Sequence, residues 1–139
     1  MPSLTRYFVK TSLVYLALGL LVGLALALQD VFSLPVSLNG LFPVYLHLLV
    51  IGWLSQLIFG IAFWMFPKYS REMPRGNESL GWGIYVLLNA GLILRAIAEP
   101  WQSQNPEAIS AWLLVLSAVM QWLAGLMFVF NTWGRIKEK

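Results

Sequence analysis

Apolar residues fall into four long runs along the chain, which cover 8–28, 43–66, 80–98 and 108–130. Each run is long enough to cross a hydrocarbon core of about 30 Å as an α-helix that rises about 1.5 Å per residue. None of them alternates apolar and polar positions as the strand of a membrane barrel does. The pattern therefore predicts an all-α integral membrane protein, a four-helix bundle that forms a single transmembrane domain over 1–139.

The segments between the runs carry the residues that end helices and form turns. They contain Asp30, Pro35, Asn39 and Gly40 in the first; Pro67, Pro74, Gly76 and Asn77 in the second; and Pro100, Asn105 and Pro106 in the third. We therefore expect three short connections between four antiparallel helices.

Composition narrows the function classes. Hydrophobic residues make up 59% of the 139 residues and charged residues 11%, against about 25% charged in a soluble domain. The chain has no cysteine, which excludes disulfides, thiolate metal sites and iron–sulfur clusters. The net charge is +3 and no basic cluster has the form of a nucleic-acid footprint, so we expect no nucleic-acid partner.

The basic residues predict the orientation in the membrane. Eight of the nine lie before the first run, between the second and third, or after the fourth: Arg6, Lys10, Lys68, Arg71, Arg75, Arg135, Lys137 and Lys139. Positive residues favour the cytoplasmic side. Both termini are therefore predicted to be cytoplasmic, in the inner (cytoplasmic) membrane of a cell, with lipid as the surrounding partner.

Arg95 is the ninth basic residue, and it lies inside the third run, about one and a half turns before Pro100. A charge within a span is costly, by about 2.5–3.5 kcal/mol at mid-helix. One interpretation is that the side chain reaches the outer headgroups, helped by Glu99 one turn further on. The other is that Arg95 anchors an anionic group of a ligand.

His47, the only histidine, lies about one turn below the predicted outer end of the second helix at Pro43. The topology places it at nearly the depth of Arg95. A neutral imidazole commonly binds metals and haem iron, although a histidine near the interface can also form a hydrogen bond between helices.

Small and polar residues recur at helical spacing in the runs, which predicts close packing within a chain or between chains. These sets are Gly19 and Gly23; Gly52, Gln56 and Gly60; and Ser117, Gln121 and Gly125. The middle of the membrane is predicted to hold no Asp, Glu, Lys or Arg, which disfavours a proton pump or an ion transporter.

Two stretches carry a family resemblance. Residues 45–52, continuing through 56–60 to 65–67, resemble the second helix of subunit I in the haem–copper oxidase superfamily, and the nitric oxide reductase large subunit and NnrS-like membrane haem proteins are the nearest parallels. Residues 89–96 resemble the next helix of that family. The family core has far more helices than four, so this chain would be a reduced member.

The resemblance implies a haem b cofactor near the outer face. It implies that His47 is an axial ligand to the haem iron, and that Arg95 could meet a haem propionate. The chain lacks a second histidine and the copper ligands, so no residue is assigned a catalytic role and a redox protein is expected rather than an enzyme.

Three functions follow as expectations. The first is a membrane haem b protein for electron transfer or gas binding, with a redox partner protein or a quinone. The second is a haem-free accessory or scaffold subunit of a larger membrane respiratory complex. The third, a permease for small solutes or haem, is disfavoured because no pair of broken helices is visible.

We also expect a homodimer. Two copies inserted in the same direction are related by an axis along the membrane normal, which brings both copies of His47 to one depth. One haem on that axis would then have two histidine ligands. The competing arrangement is one haem per chain, either five-coordinate or with Met120 or Gln121 as a weak sixth ligand.

Overall fold

The computed structural model describes residues 1–32 and 38–136, which fold into four long helices. The helices are α1 (Ser3–Phe32), α2 (Phe42–Met65), α3 (Glu78–Gln104) and α4 (Ala108–Trp133), and a short 3₁₀ turn (Asn39–Leu41) precedes α2. All four are long and apolar enough to cross a membrane. The part of the chain that is described contains no strand. The predicted all-α, four-helix architecture is therefore confirmed.

Two helices are clearly longer than the apolar runs predicted. The first begins at Ser3, and the third continues through Pro100 to Gln104 instead of ending near residue 98. Hydropathy marks only the hydrocarbon core, whereas a helix keeps its backbone hydrogen bonds into the headgroup region. Pro100 lies near the end of α3, where the loss of one backbone donor disturbs little of the helix.

The start of α1 and the end of α4 lie at the same end of the bundle, beside the end of α2, and we call this the termini end. There the ring of Phe8 stacks on that of Phe63 near the end of α2, with centroids 5.8 Å apart. A Cβ at Gly81, near the start of α3, would lie 2.6 Å from a methyl of Leu4. We call the opposite end the far end. There Gly40, which precedes α2, packs against the end of α3, since a Cβ at Gly40 would lie 2.7 Å from Cβ of Ser103. These contacts establish that successive helices are antiparallel.

The small-residue faces are used for packing inside the chain. A Cβ at Gly52 would lie 2.8 Å from Cγ of Tyr15, and a Cβ at Gly60 would lie 2.7 Å from Cβ of Phe8, so α1 approaches α2 closely. The hydroxyl of Ser117 donates to the carbonyl of Gly91 at 2.7 Å and joins α4 to α3. Close packing within one copy is therefore confirmed for the glycines of α1 and α2 and for Ser117, whereas a Cβ at Gly125 would meet no atom within 4 Å.

Arg135 follows α4, and its side chain is buried at the termini end. Its guanidinium donates to the carbonyls of Phe63, Phe66 and Pro67 at 2.7–3.1 Å. These groups lie at the C-terminus of α2, where carbonyls lack helical partners and a positive charge is favoured. Burial, and secondarily the charge of Arg75, lowers the pKa of Arg135. The residue was predicted only as part of a basic tail, and it caps a neighbouring helix instead.

Candidate ligand site at His47 and Arg95

His47 lies on the second turn of α2, at the far end of the bundle. Its Nδ1 is 2.8 Å from the carbonyl oxygen of Pro43, one turn earlier in the same helix. Because a carbonyl only accepts hydrogen bonds, Nδ1 carries a proton, and in the neutral form of the ring the lone pair is on Nε2. Histidines that bind metals are held in this manner, with one nitrogen donating to a carbonyl and the other free to coordinate.

The helix changes its geometry directly after His47. Residues Leu48–Ser55 form a π-helix, and the hydroxyl of Ser55 donates to the carbonyl of Val50, five residues earlier, at 2.8 Å. Segments of π-helix are rare and occur frequently at functional sites. The hydropathy of this stretch is uniformly high, so the sequence pattern did not predict the π segment.

A groove of about 230 Å³ runs along this part of α2 and is lined by Leu46, His47, Val50 and Ile51. Apart from the imidazole, its lining is aliphatic, and Leu46 and Val50 are exposed. Enclosed ligand sites usually measure about 300–1,000 Å³. The groove is smaller than such sites, its lining is apolar apart from the imidazole, and a single chain does not enclose it.

Arg95 belongs to a separate polar network between α3 and α4. Its Nη1 is 2.8 Å from Oε1 of Glu99, and both side chains are largely buried, with 16% and 17% of their surface exposed. Its Nε donates to the hydroxyl of Ser117 at 3.4 Å. The guanidinium is thus neutralised by a carboxylate of its own helix, the arrangement expected if Glu99 assists it near the interface.

The structure places His47 and Arg95 in the same layer of the bundle without joining them. Buried Val44 and Leu48 of α2 pack in one cluster with Leu92 of α3, and Ala96 packs against it. These residues flank His47 and Arg95 on their respective helices. The polar contacts of the two side chains nevertheless go elsewhere, to Pro43 in one case and to Glu99 and Ser117 in the other.

Neither alternative sixth ligand faces the groove. The amide of Gln121 donates to the hydroxyl of Ser117 at 3.1 Å, within the contact between α3 and α4. Met120 lies at the same contact, because a Cβ built on Gly91 would be 3.3 Å from the Cβ of Met120. Among residues 1–32 and 38–136, no group of three His, Cys, Asp or Glu side chains is arranged to hold a metal ion. His47 is therefore the one candidate metal ligand with a suitable setting in the described part of the chain.

Further polar side chains lie among the first three helices. The hydroxyl of Tyr15 donates to Oδ1 of Asn89 at 2.9 Å, and the hydroxyls of Thr11 and Tyr85 are 2.7 Å apart. Gln56 is fully buried, and neither polar atom of its side chain has a hydrogen-bond partner among the described residues. Gln56 was predicted, from its spacing to Gly52 and Gly60, to lie on a packing face, and it is buried as expected.

Comparisons with known proteins add no relative from which a role could be transferred. The chain matches no family model, no curated protein and no solved structure.

Proposed function

We propose that this protein is a multi-pass membrane haem b protein for electron transfer or gas binding, and that His47 is an axial ligand to the haem iron. The single observation that supports this most is the imidazole of His47, which donates from Nδ1 to the carbonyl of Pro43 and lines an apolar groove. The resemblance of residues 45–67 to the second helix of haem–copper oxidase subunit I motivates haem as the ligand.

The residues present fit one face of a haem. Nε2 of His47 is the donor type that binds haem iron, and the aliphatic groove accepts the edge of an apolar ring. When bound, the haem would supply a one-electron iron couple or a gas-binding iron. The chain's own contribution would be to hold the imidazole in one tautomer and to supply an apolar surface beside it.

The orientation supports a haem near the outer face. The termini end carries Arg6, Lys10, Lys68, Arg71 and Arg75, and the rule for positive residues assigns it to the cytoplasm. His47 would then lie at the outer leaflet of the inner membrane.

Reporter fusions test this orientation. A fusion at Lys139 should report a cytoplasmic location, and a fusion at Gln104, at the end of α3, should report the opposite side. An outside signal at Lys139 would reverse the assignment and place His47 at the inner leaflet.

We further propose that two copies share the haem. One chain offers one imidazole and an open groove, so the site is incomplete without a second copy. The glycines of α1 and α2 pack inside the chain, so the contact would use the exposed aliphatic side chains of α2 beside the groove. These occur at every fourth residue: Leu46, Val50, Leu54 and Ile58. A twofold axis along the membrane normal would bring the two copies of His47 to opposite faces of one haem.

A haem-free accessory subunit is the second candidate function. The ion pair between Arg95 and Glu99 favours it, because the arginine already has an anionic partner without a haem propionate. The absorption spectrum of the purified protein separates the two functions. A Soret band with the sharp α band of a low-spin haem b supports the first, and a spectrum with protein absorption alone supports the second.

A further inference from the structure

We infer that α1 binds the headgroup of an anionic phospholipid at the termini end of the bundle. A pocket of about 290 Å³ lies there on the exposed face of α1 and is lined by Ser3, Arg6, Tyr7 and Lys10. These residues follow one another at helical spacing, so their side chains share one face. The pocket is far from His47, and the inference does not depend on haem binding.

The charge of the pocket selects an anion. Arg6 and Lys10 are both exposed and stand one turn apart. In the described part of the chain the ion pairs are Arg75–Glu78 and Arg95–Glu99, so neither cation of the pocket is neutralised by a carboxylate. A guanidinium and an ammonium flanking one cavity provide the donors that a phosphate group accepts, and Lys and Arg residues next to a membrane attract anionic lipids.

Tyr7 forms a fixed wall of the pocket at the depth of the membrane interface. Its ring meets Trp82 edge to face, with centroids 5.3 Å apart, and meets Tyr85 at 6.1 Å. Such aromatic side chains are typical of the headgroup region. The hydroxyl of Tyr7 has no hydrogen-bond partner among the described residues, and it is free to donate to a headgroup oxygen.

The surface below the pocket indicates a lipid rather than a free phosphate ion. The same face of α1 continues from Lys10 to exposed Leu13 and Val14, and further along the helix to Leu21 and Leu24. A charged pocket that leads directly into an exposed aliphatic strip matches the shape of a phospholipid, with its phosphate at Arg6 and Lys10 and its acyl chains along the strip.

The test compares two double variants with the same loss of charge. In Arg6→Gln/Lys10→Gln the pocket loses both cations. In Lys68→Gln/Arg71→Gln two exposed cations of the connection between α2 and α3 are removed instead. The unfolding temperature of the full chain is measured in phosphatidylcholine vesicles with and without phosphatidylglycerol, and in detergent with and without inorganic phosphate.

Phosphatidylglycerol is expected to raise the unfolding temperature of the wild type and of the connection variant. The pocket variant should lose most of that gain, and inorganic phosphate should give none. An equal loss in both variants would overturn the inference in favour of diffuse charge attraction. A gain from inorganic phosphate alone would overturn it in favour of a site for free anions, and no gain in the wild type would also overturn it.

Discussion

Replacing His47 by alanine is expected to abolish haem binding while leaving the bundle folded. The imidazole makes its hydrogen bond to Pro43 within its own helix, so its removal breaks no hydrogen bond between helices. Loss of the axial ligand should lower the haem-to-protein ratio by more than about tenfold. Mutating a residue that merely hydrogen-bonds to a metal ligand already lowers metal affinity by about 10–100-fold, and the ligand itself should matter more. Haem content of purified protein and its helical circular dichroism measure the two effects separately.

Val86→Ala is the matched control for this experiment. Val86 is an exposed aliphatic residue of α3 that belongs neither to the groove nor to the proposed contact between copies, so the change trims an apolar surface elsewhere in the bundle. Its haem content should stay close to that of the wild type. Imidazole added to His47→Ala should restore part of the haem absorption, because it can occupy the vacated position. Unchanged haem content in His47→Ala would show that the iron is bound elsewhere.

Replacing Arg95 by leucine is expected to destabilise the protein. The change leaves the carboxylate of Glu99 largely buried without its partner, and breaking a buried ion pair costs about 3 kcal/mol. The contact with Ser117 between α3 and α4 is lost as well. Unfolding in detergent, followed by circular dichroism, measures the effect.

The double variant Arg95→Leu/Glu99→Leu separates the two roles of Arg95. Removing both charges should return most of the lost stability, because no unpaired carboxylate remains. If Arg95 also meets a haem propionate, haem retention should stay low in the double variant or the reduction potential should stay below that of the wild type. Recovery of haem content and potential together with stability would limit Arg95 to its pairing with Glu99.

The helices could be predicted from the sequence because each one corresponds to a continuous run of apolar residues, which is a local property of the chain. Four apolar runs predicted four spanning helices, and the two proline-rich connections that the structure describes follow the second and third helices as expected. The ends of the helices were harder to predict from the sequence. Helix α3 continues through Pro100 and α1 begins at Ser3, and at both places hydropathy no longer marks the helix. Residues 33–37 and 137–139, which include Pro35, Lys137 and Lys139, lie outside the described residues.

That His47 and Arg95 lie in one layer of the bundle was also predictable, but their contacts were not. Helix direction alone put His47 and Arg95 in one layer, and the packing of Val44 and Leu92 agrees with this. Which way each side chain points depends on the rotation of the helices, and the π segment after His47 alters that rotation. The pairing of Arg95 with Ser117 of α4, like the burial of Arg135 against the end of α2, required the tertiary structure.

The ratio of haem to protein, taken with the spin state, tests the central claim most directly. The wild-type protein is purified, its haem b is quantified against its chain concentration, and its absorption spectrum is recorded in both oxidation states. A haem shared between two copies of His47 predicts one low-spin haem b for every two chains. A protein that carries no haem when purified, and takes up none when haem is supplied, would contradict the account.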